Sequence, residues 1–97
     1  MNPILIHPCC YVLKCEDDCY YIGITHNLNQ RLAQHFSGQG AKWTKLHKPL
    51  QLIETHYPAT RQTEEEVTLD IMREFGWEKV RGGKYCSVRL TKPFELA

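Results

Sequence analysis

Two short runs of strand-forming residues, separated by an acidic turn, constrain the fold of this chain more than any other feature. Residues 11–15 and 19–25 are rich in tyrosine, valine and isoleucine, and the segment 16–18 between them is Glu-Asp-Asp. Runs of this kind at this separation predict an antiparallel β-hairpin. A chain of 97 residues has room for one hydrophobic core, so the remaining segments must pack on this hairpin in a single domain.

A helix is predicted directly after the hairpin. Leu28, Leu32 and Phe36 recur at every fourth position, which gives the helix one apolar stripe. Asn27 is a favourable N-cap residue, and Gly38 stands where a helix commonly ends.

A second helix is predicted from its cap at Thr63 to Phe75, followed by Gly76 as the stop. Val67 and Ile71, together with Phe75, form its predicted buried stripe.

The other segments complete the predicted architecture. Residues 38–45 are predicted to form a basic loop, residues 50–57 a third strand, and residues 85–90 a short strand after a turn at 80–83. The order β-β-α-β-α with a β-like tail predicts an α+β domain in which helices pack on a small antiparallel sheet.

The cysteines indicate buried, reduced thiols. There are five cysteines, an odd number, and Cys9 and Cys10 are adjacent, which argues against a disulfide framework. Cys15 and Cys19 suggest a zinc site, but no second cysteine pair or histidine pair follows at zinc-finger spacing.

We recognise no leader, and no apolar run approaches the ~18 residues of a membrane helix. An intracellular protein without membrane association is expected.

Charge is unevenly distributed, although the net charge is only +1. Residues 19–61 carry five Lys or Arg against one acid, residues 62–78 carry one Arg against six acids, and residues 79–92 carry five Lys or Arg and no acid. Two basic segments beside an acidic helix suggest a surface that binds phosphates, with an acidic patch for a metal ion. The alternative is a solvated surface on which charges cluster by chance.

The predicted layout brings together side chains with complementary chemistry. Tyr11 and Tyr21 lie on paired strands, Arg31 and His35 share one face of the following helix, and three glutamates at 64–66 begin the second helix. In phosphodiester cleavage an arginine stabilises the phosphorane charge, a carboxylate holds a divalent cation, and a tyrosine or histidine moves the proton of water. The set points to a nuclease.

Several short motifs occur in the order and spacing of a known family. They are Pro8-Cys-Cys-Tyr11, Tyr21-Ile-Gly23, Arg31-Leu-x-x-His35 and Gly38-Gln-Gly-Ala-Lys-Trp-Thr44. On these residues the chain resembles the GIY-YIG nuclease family. The resemblance implies a three-stranded antiparallel sheet flanked by helices and metal-dependent cleavage of nucleic acid. It implies one domain over residues 1–97, with a motif core at about 9–75 and a basic extension at 76–97.

The resemblance assigns roles to individual residues. Tyr11 takes the place of the tyrosine of the first motif, and Tyr21 takes that of the second. Arg31 corresponds to the catalytic arginine, and His35 corresponds to its polar partner one turn further on. Gly23 is the glycine of the second motif, where a side chain would crowd the site.

The first motif departs from the family pattern at two positions. Cys9 and Cys10 stand where glycine and isoleucine are usual. A cysteine replaces glycine without strain only where the backbone does not need a positive φ. The backbone at Cys9 therefore bears on how substrate approaches.

Glu64 is the predicted metal ligand. It lies three residues before Val67 and seven before Ile71, so a helical register turns it towards the packed side. The family pattern also places its glutamate ahead of an inward-facing position. Glu65 lies to one flank and Glu66 faces water, and both stay alternatives if the register shifts. The expected ion is Mg²⁺ or Mn²⁺, because one carboxylate with waters suits a small hard cation.

Three cationic side chains are candidates for contact with the substrate: Lys42, Lys45 and Arg81. Arg81 precedes two glycines, and this segment forms either a tight turn or a backbone cradle for phosphate. Trp43 is either a core residue or a stacking surface for an unpaired base.

These observations predict a metal-dependent endonuclease that hydrolyses phosphodiester bonds in nucleic acid, with DNA as the expected substrate. So small a domain leaves no room for a separate sequence-reading module, so recognition is expected to be structural, non-specific, or delegated to a protein partner or a homodimer. The alternatives are a nucleic-acid-binding module of the same fold that does not cut, and an interaction protein that binds metal through its cysteines.

Overall fold

Four strands form one sheet, and three α-helices flank it in the computed structural model, which describes residues 4–96. The elements are β1 (Cys9–Cys15), β2 (Tyr20–Thr25), α1 (Leu28–Phe36), α2 (Lys42–Leu46), β3 (Pro49–His56), α3 (Arg61–Phe75) and β4 (Val80–Gly82). The strand order is β3-β1-β2-β4. Single turns of 3₁₀ helix occupy Glu16–Asp18, Trp77–Lys79 and Phe94–Leu96.

The predicted hairpin is confirmed. β1 and β2 pair antiparallel, with Tyr11 opposite Gly23. The acidic turn between them contains positive φ angles of 64° at Asp17 and 56° at Asp18. Such angles are most accessible to Asn, Asp and Gly, which explains why acidic residues suit this turn. The third strand is also confirmed, since β3 pairs antiparallel with the other side of β1.

The fourth strand corrects the expected three-stranded antiparallel sheet. β4 pairs with β2 in parallel, with Tyr21 opposite Arg81. Both β3 and β2 run antiparallel to β1, and α3 is a crossover helix that lets the next strand run in the same direction as β3. A three-residue strand is too short for alternation to reveal it in a sequence.

The strand predicted at 85–90 does not form. Tyr85 makes an isolated bridge with Gly82. The carbonyl groups of Ser87 and Val88 accept hydrogen bonds from the Arg81 side chain at 2.7 and 2.9 Å. A guanidinium group therefore takes acceptors that a neighbouring strand would need.

The two long helices form where they are predicted, with changes at their ends. Asn27 caps α1, because its Oδ1 accepts a hydrogen bond from the Gln30 N–H at 3.1 Å. The cap of α3 is Thr60 rather than Thr63, and the two threonines form a reciprocal capping box. The predicted loop at 38–45 is interrupted by the start of α2, so it is partly helical.

The sheet separates two hydrophobic clusters. Under α3 lie Cys10, Val12, Ile22, Ile71 and Met72, with further residues of β2 and β4. On the opposite face lie Tyr11, Leu13, Cys15, Cys19, Tyr21 and Trp43, covered by Leu28 and Leu32 of α1. Alternate residues of a strand face opposite sides of a sheet. This alternation places both motif tyrosines on the α1 side.

The apolar stripes are less buried than predicted at their ends. Phe36 is 46% exposed and Phe75 is 40% exposed. The Phe75 ring nevertheless stacks on Tyr20, with 4.2 Å between ring centroids. A small domain has too little interior to bury both ends of each helix.

The cysteines are free thiols, and Cys9, Cys10, Cys15 and Cys19 are buried as predicted, whereas Cys86 is exposed. Burial raises the pKa of Cys10 and of Cys15 to about 12, which makes both weak nucleophiles at neutral pH. Cys9 lies in an extended strand, so its backbone does not need glycine. No helix between residues 4 and 96 has the length and apolar character to cross a bilayer.

Candidate active site

The hydroxyl of Tyr11 and the ring of His35 form the centre of the candidate site. Tyr11 Oη lies 2.8 Å from His35 Nε2. Both side chains are almost fully buried, at 1% and 0% exposure. On the other side of the ring, His35 Nδ1 lies 2.9 Å from Thr44 Oγ1. Residues of β1, α1 and α2 are thus joined in one hydrogen-bonded row.

Two glycines allow this row to pack closely. A Cβ at Gly23 would stand 2.2 Å from Tyr11 Oη, so a side chain there would crowd the site, as the resemblance implied. A Cβ at Gly40 would stand 2.2 Å from His35 Nδ1. The contact of Gly40 was not predicted, and its signal in the sequence was its place in the motif at 38–44.

Tyr21 completes a cluster of three rings. Its ring centroid lies 5.1 Å from that of His35 and 6.4 Å from that of Tyr11. At 9% exposure it is the most open of the three rings. The hairpin and the helix that follows it therefore bring together three of the four predicted catalytic residues.

Arg31, the fourth, lies one turn before His35 and is half-buried. Its guanidinium donates a hydrogen bond to Gln34 Oε1 at 2.9 Å. Burial raises the pKa of Tyr11 and of Tyr21, and the nearby positive charge of Arg31 partly offsets this rise. The guanidinium therefore lies within electrostatic reach of both phenols.

His35 is uncharged at neutral pH. Burial, reinforced by the positive charge of Arg31, lowers the pKa of His35 to about 4. The raised pKa of Tyr11 keeps its hydroxyl protonated. The row therefore joins a phenol to a neutral imidazole, an arrangement in which a proton can move from Tyr11 Oη to His35 Nε2.

Glu64 lies in the first turn of α3, where it is half-buried beside β4. Its Cγ is 3.6 Å from the position that a Cβ at Gly83 would take. Burial raises the pKa of Glu64, and the positive charge of Arg61 opposes this rise. The negative charge of Glu64 in turn contributes to the raised pKa values of Tyr11 and Tyr21.

The neighbouring glutamates differ from Glu64 in their surroundings. Glu66 is exposed and accepts a hydrogen bond from Gln62 Nε2 at 2.9 Å. Glu65 is half-buried, and its Cγ is also 3.6 Å from the Cβ position of Gly83. The orientations of Glu64 and Glu66 follow the predicted helical register. The assignment of Glu64 as metal ligand stays a prediction.

A cleft lies beside His35 on the side of α2. Its volume is about 440 Å³, and Phe36, Thr44, Lys45 and Lys48 are among its lining residues. Lys42 and Lys45, the predicted substrate contacts, are exposed on α2. Lys48 was not singled out in the sequence.

Arg81 does not fit the predicted contact with substrate. It is 4% exposed, and its guanidinium donates to the carbonyl groups of Trp77, Val80, Ser87 and Val88. Its Cζ also lies 4.4 Å from the centroid of the Trp43 ring. The side chain ties the C-terminal segment to the sheet, with four of its five N–H groups engaged.

Trp43 is a core residue, as one of its two predicted roles required. It is 5% exposed, and its Nε1–H donates to the Tyr20 carbonyl at 3.0 Å.

Gly82 and Gly83 have structural roles. A Cβ at Gly82 would stand 2.8 Å from Thr68 Oγ1 of α3, and Gly82 and Tyr85 exchange two backbone hydrogen bonds across a turn.

The α+β fold and the cluster of Tyr11, Tyr21, Arg31 and His35 define a class of protein, and comparison with known families identifies that class. The GIY-YIG catalytic domain matches residues 7–78. The chain therefore belongs to the GIY-YIG family. The matched range contains Tyr11, Tyr21, Arg31, His35 and Glu64 and ends before Arg81.

Curated relatives are similar to part of the chain. The UPF0213 protein YazA of Bacillus subtilis is 46% identical over 43 residues, which are 44% of this chain and 43% of YazA. The UPF0213 protein spr1390 of Streptococcus pneumoniae is 54% identical over 43 residues, again 44% of this chain and 43% of that protein. A UPF0213 protein of Bacillus pumilus is 44% identical over 52 residues, or 54% and 53%. The matches thus span about half or less of these relatives. No solved structure matches the chain significantly.

Proposed function

We propose that the chain is an endonuclease that hydrolyses phosphodiester bonds in nucleic acid, with DNA as its substrate. The observation that carries the proposal is the 2.8 Å hydrogen bond between the Tyr11 hydroxyl and His35 Nε2. Membership of the GIY-YIG family supports the reaction class. The proximity of Arg31 to the phenols supports a phosphate as the group on which they act.

The proposed reaction is in-line attack of water on phosphorus. A bond forms between the water oxygen and phosphorus as the bond from phosphorus to the leaving oxygen breaks. The water proton passes to Tyr11 Oη while the phenolic proton passes to His35 Nε2, and the leaving oxygen takes a proton from solvent. The coupled transfer avoids a free phenolate, which burial of Tyr11 makes costly.

Binding of the substrate phosphate changes the charge of the site in the direction that favours proton transfer to His35. Without substrate, His35 is a weak base, because burial lowers its pKa to about 4. A phosphate that enters the site brings negative charge and therefore favours the protonated imidazole. Arg31 donates hydrogen bonds to the equatorial phosphate oxygens, whose negative charge increases in the transition state.

The residues of the site fit a small divalent cation. Glu64 is a partly buried carboxylate whose negative charge acts on both phenols, and burial raises its pKa, so a positive charge beside it would relieve the cost of its ionisation. Between residues 4 and 96 no three or more His, Cys, Asp or Glu side chains group as metal ligands, so a bound ion would take most of its ligands from water and substrate. One carboxylate with waters and substrate oxygens suits Mg²⁺ or Mn²⁺. Such an ion, when bound, supplies positive charge at the leaving oxygen.

Incubation with supercoiled, linear and branched DNA, with Mg²⁺ or with EDTA, tests the proposal. We expect nicked or cut products in Mg²⁺ only. Equal cleavage in EDTA would remove the cation from the mechanism.

Arg31→Ala tests the assignment of the site. Arg31 lies off the apolar stripe of its helix, so we expect the melting temperature to change little and cleavage to fall by roughly 10²-fold or more. Arg31→Lys should restore little activity, because lysine lacks the planar fork that contacts two oxygens. Arg73→Ala is the matched control, since Arg73 is an exposed helical arginine paired with Asp70. A large fall in the melting temperature of Arg31→Ala would instead indicate a structural role.

A nucleic-acid-binding domain that does not cut is the second candidate. The 1% exposure of Tyr11 favours it, because a catalytic base must reach the water from which it takes a proton. Salt-sensitive binding without a product on any form of DNA or RNA would support this candidate over the nuclease.

A further inference from the structure

Thr44 and Gly40 lie behind the ring of His35, on the side away from Tyr11. Thr44 is 1% exposed, and its Oγ1 is 2.9 Å from His35 Nδ1. Gly40 packs against the same ring nitrogen, where a Cβ would stand at 2.2 Å. A side chain at position 40 would therefore displace the ring from its present place.

The hydrogen bonds of Thr44 determine which ring nitrogen of His35 carries the proton. The Thr44 hydroxyl donates to the Ala41 carbonyl at 2.9 Å, and a carbonyl oxygen can only accept. A hydroxyl has one proton to donate, so Thr44 Oγ1 must accept a hydrogen bond from His35 Nδ1–H. A neutral imidazole has one N–H group, and Nε2 is therefore left with a lone pair directed at Tyr11.

We infer that Thr44 is a positioning residue that fixes the tautomer of His35, so that His35 Nε2 accepts the proton of Tyr11. The tautomer itself follows from hydrogen-bond geometry, whereas its effect on cleavage rests on the proposed function. With the other tautomer, Nε2–H would face the Tyr11 hydroxyl, and Nε2 would have no lone pair to receive a proton.

The row of hydrogen bonds continues from Thr44 to the Ala41 carbonyl, where it ends, and it does not form a proton path. The Ala41 carbonyl is the last acceptor and has no proton to pass on. A proton that arrives at His35 Nε2 therefore returns by the same nitrogen. Thr44 acts by holding the ring and by satisfying Nδ1–H in both the neutral and the protonated state.

Thr44→Val and Thr44→Ser separate the hydroxyl from the shape of the side chain. Valine keeps the branched shape but leaves Nδ1–H without its acceptor, whereas serine keeps the hydroxyl. Thr55→Val is the control, because Thr55 is exposed on β3, where valine is a good strand residue. Long-range ¹H–¹⁵N spectra of the His35 ring report the tautomer, and cleavage rate, DNA affinity and melting temperature are measured on the same samples.

We expect the wild-type protein and Thr44→Ser to show one tautomer with the proton on Nδ1, and Thr44→Val to lose this single state. Cleavage by Thr44→Val should fall about tenfold or more at unchanged DNA affinity, and Thr44→Ser should recover most of it. A wild-type ring protonated on Nε2 would overturn the inference, as would a Thr44→Val variant that keeps the Nδ1–H tautomer.

The spectra distinguish this inference from the proposed function. If the wild-type protein cuts no nucleic acid but its His35 ring carries the proton on Nδ1 in a Thr44-dependent way, the positioning role of Thr44 stands and the nuclease proposal fails. If Thr44→Val does not fold, the wild-type spectrum alone decides the tautomer.

Discussion

Burial sets the properties of the individual residues in the site. Tyr11 and His35 have 1% and 0% exposure, and each is held in its uncharged form by the loss of water around it. The hydrogen bond between them satisfies two polar atoms that would otherwise be costly inside the protein. The same contact is therefore a source of stability and, in the proposed reaction, a path for a proton.

The buried histidine makes stability depend on pH in a defined window. Burial and the charge of Arg31 lower the pKa of His35 from 6.5 to about 4, so between these values the unfolded chain binds more protons than the folded one. Protonation of His35 therefore does not affect the free energy of unfolding above about pH 6.5. As the pH falls from there towards 4, the free energy of unfolding decreases by on the order of 3 kcal/mol. Urea unfolding of the wild-type protein and of His35→Gln across this range measures the difference.

The polar and charged side chains that surround the His35 ring are those of Tyr11, Tyr21, Arg31 and Thr44. His7→Gln, at an exposed position, serves as the control and should retain the wild-type pH dependence. If His35→Gln loses stability with pH as steeply as the wild-type protein, protonation of His35 is not the cause.

At the scale of elements, α3 is positioned by its close approach to β4. Gly82 leaves room for Thr68 Oγ1, which lies 2.8 Å from the position of a Cβ at residue 82. Gly83 similarly faces the side chain of Glu64. The glycines thus let the first turns of α3 reach β4, the edge strand next to β2, and they allow the Glu64 side chain to pack against the turn at Gly83.

Glu64 and Glu66 allow a comparison within one helix, because Glu64 is half-buried and Glu66 is exposed. We expect Glu64→Gln to reduce metal-dependent cleavage by roughly 10²-fold, with DNA binding unchanged or tighter through the loss of a negative charge near phosphate. Its melting temperature should not fall, because burial already disfavours the ionised form of Glu64. Cleavage assays, binding titrations and thermal unfolding measure these effects.

Glu66→Gln is the matched control and should cut at the wild-type rate. Full activity of Glu64→Gln would exclude Glu64 as the metal ligand. Inactive Glu65→Gln together with active Glu64→Gln would instead transfer this role to the neighbouring residue.

At the scale of the whole molecule, the basic residues that are grouped along the sequence do not all lie together on one surface of the folded protein. Two cations of the basic segment at 79–92 have partners within the chain, since buried Arg81 donates to backbone carbonyl groups and exposed Lys84 lies 3.4 Å from Glu95 Oε2. Lys45 and Lys48 instead line the cleft beside His35. The positive surface near the site therefore comes from α2 and the residues after it.

This distribution makes DNA affinity sensitive to salt in a residue-specific way. Lysines that contact phosphates release counterions, so log affinity falls linearly with log salt concentration. We expect Lys45→Gln combined with Lys48→Gln to reduce the magnitude of the slope by about 2, and Lys84→Gln to leave it unchanged. Fluorescence anisotropy at several salt concentrations measures the slopes. A slope near zero in the wild-type protein would contradict a phosphate-binding surface.

Local sequence determined the hairpin, the third strand and both long helices. These elements depend on neighbours a few residues apart: strand-forming runs around the acidic turn, an apolar residue at every fourth position of α1, and a threonine at the start of α3. Motif order brought Tyr11, Tyr21, Gly23, Arg31 and His35 to attention, because a hairpin followed by a helix keeps them close in space.

Only the tertiary structure decided the features that depend on distant parts of the chain. The parallel pairing of β4 with β2 requires α3 to cross the sheet, and the burial of Arg81 requires carbonyl groups on both sides of it in the sequence. The contacts of Gly40 and Thr44 with His35 likewise depend on how α2 packs against α1. Hydrophobic periodicity describes which face of one element is buried but not which element covers it, and for that reason these contacts could not be predicted from the sequence.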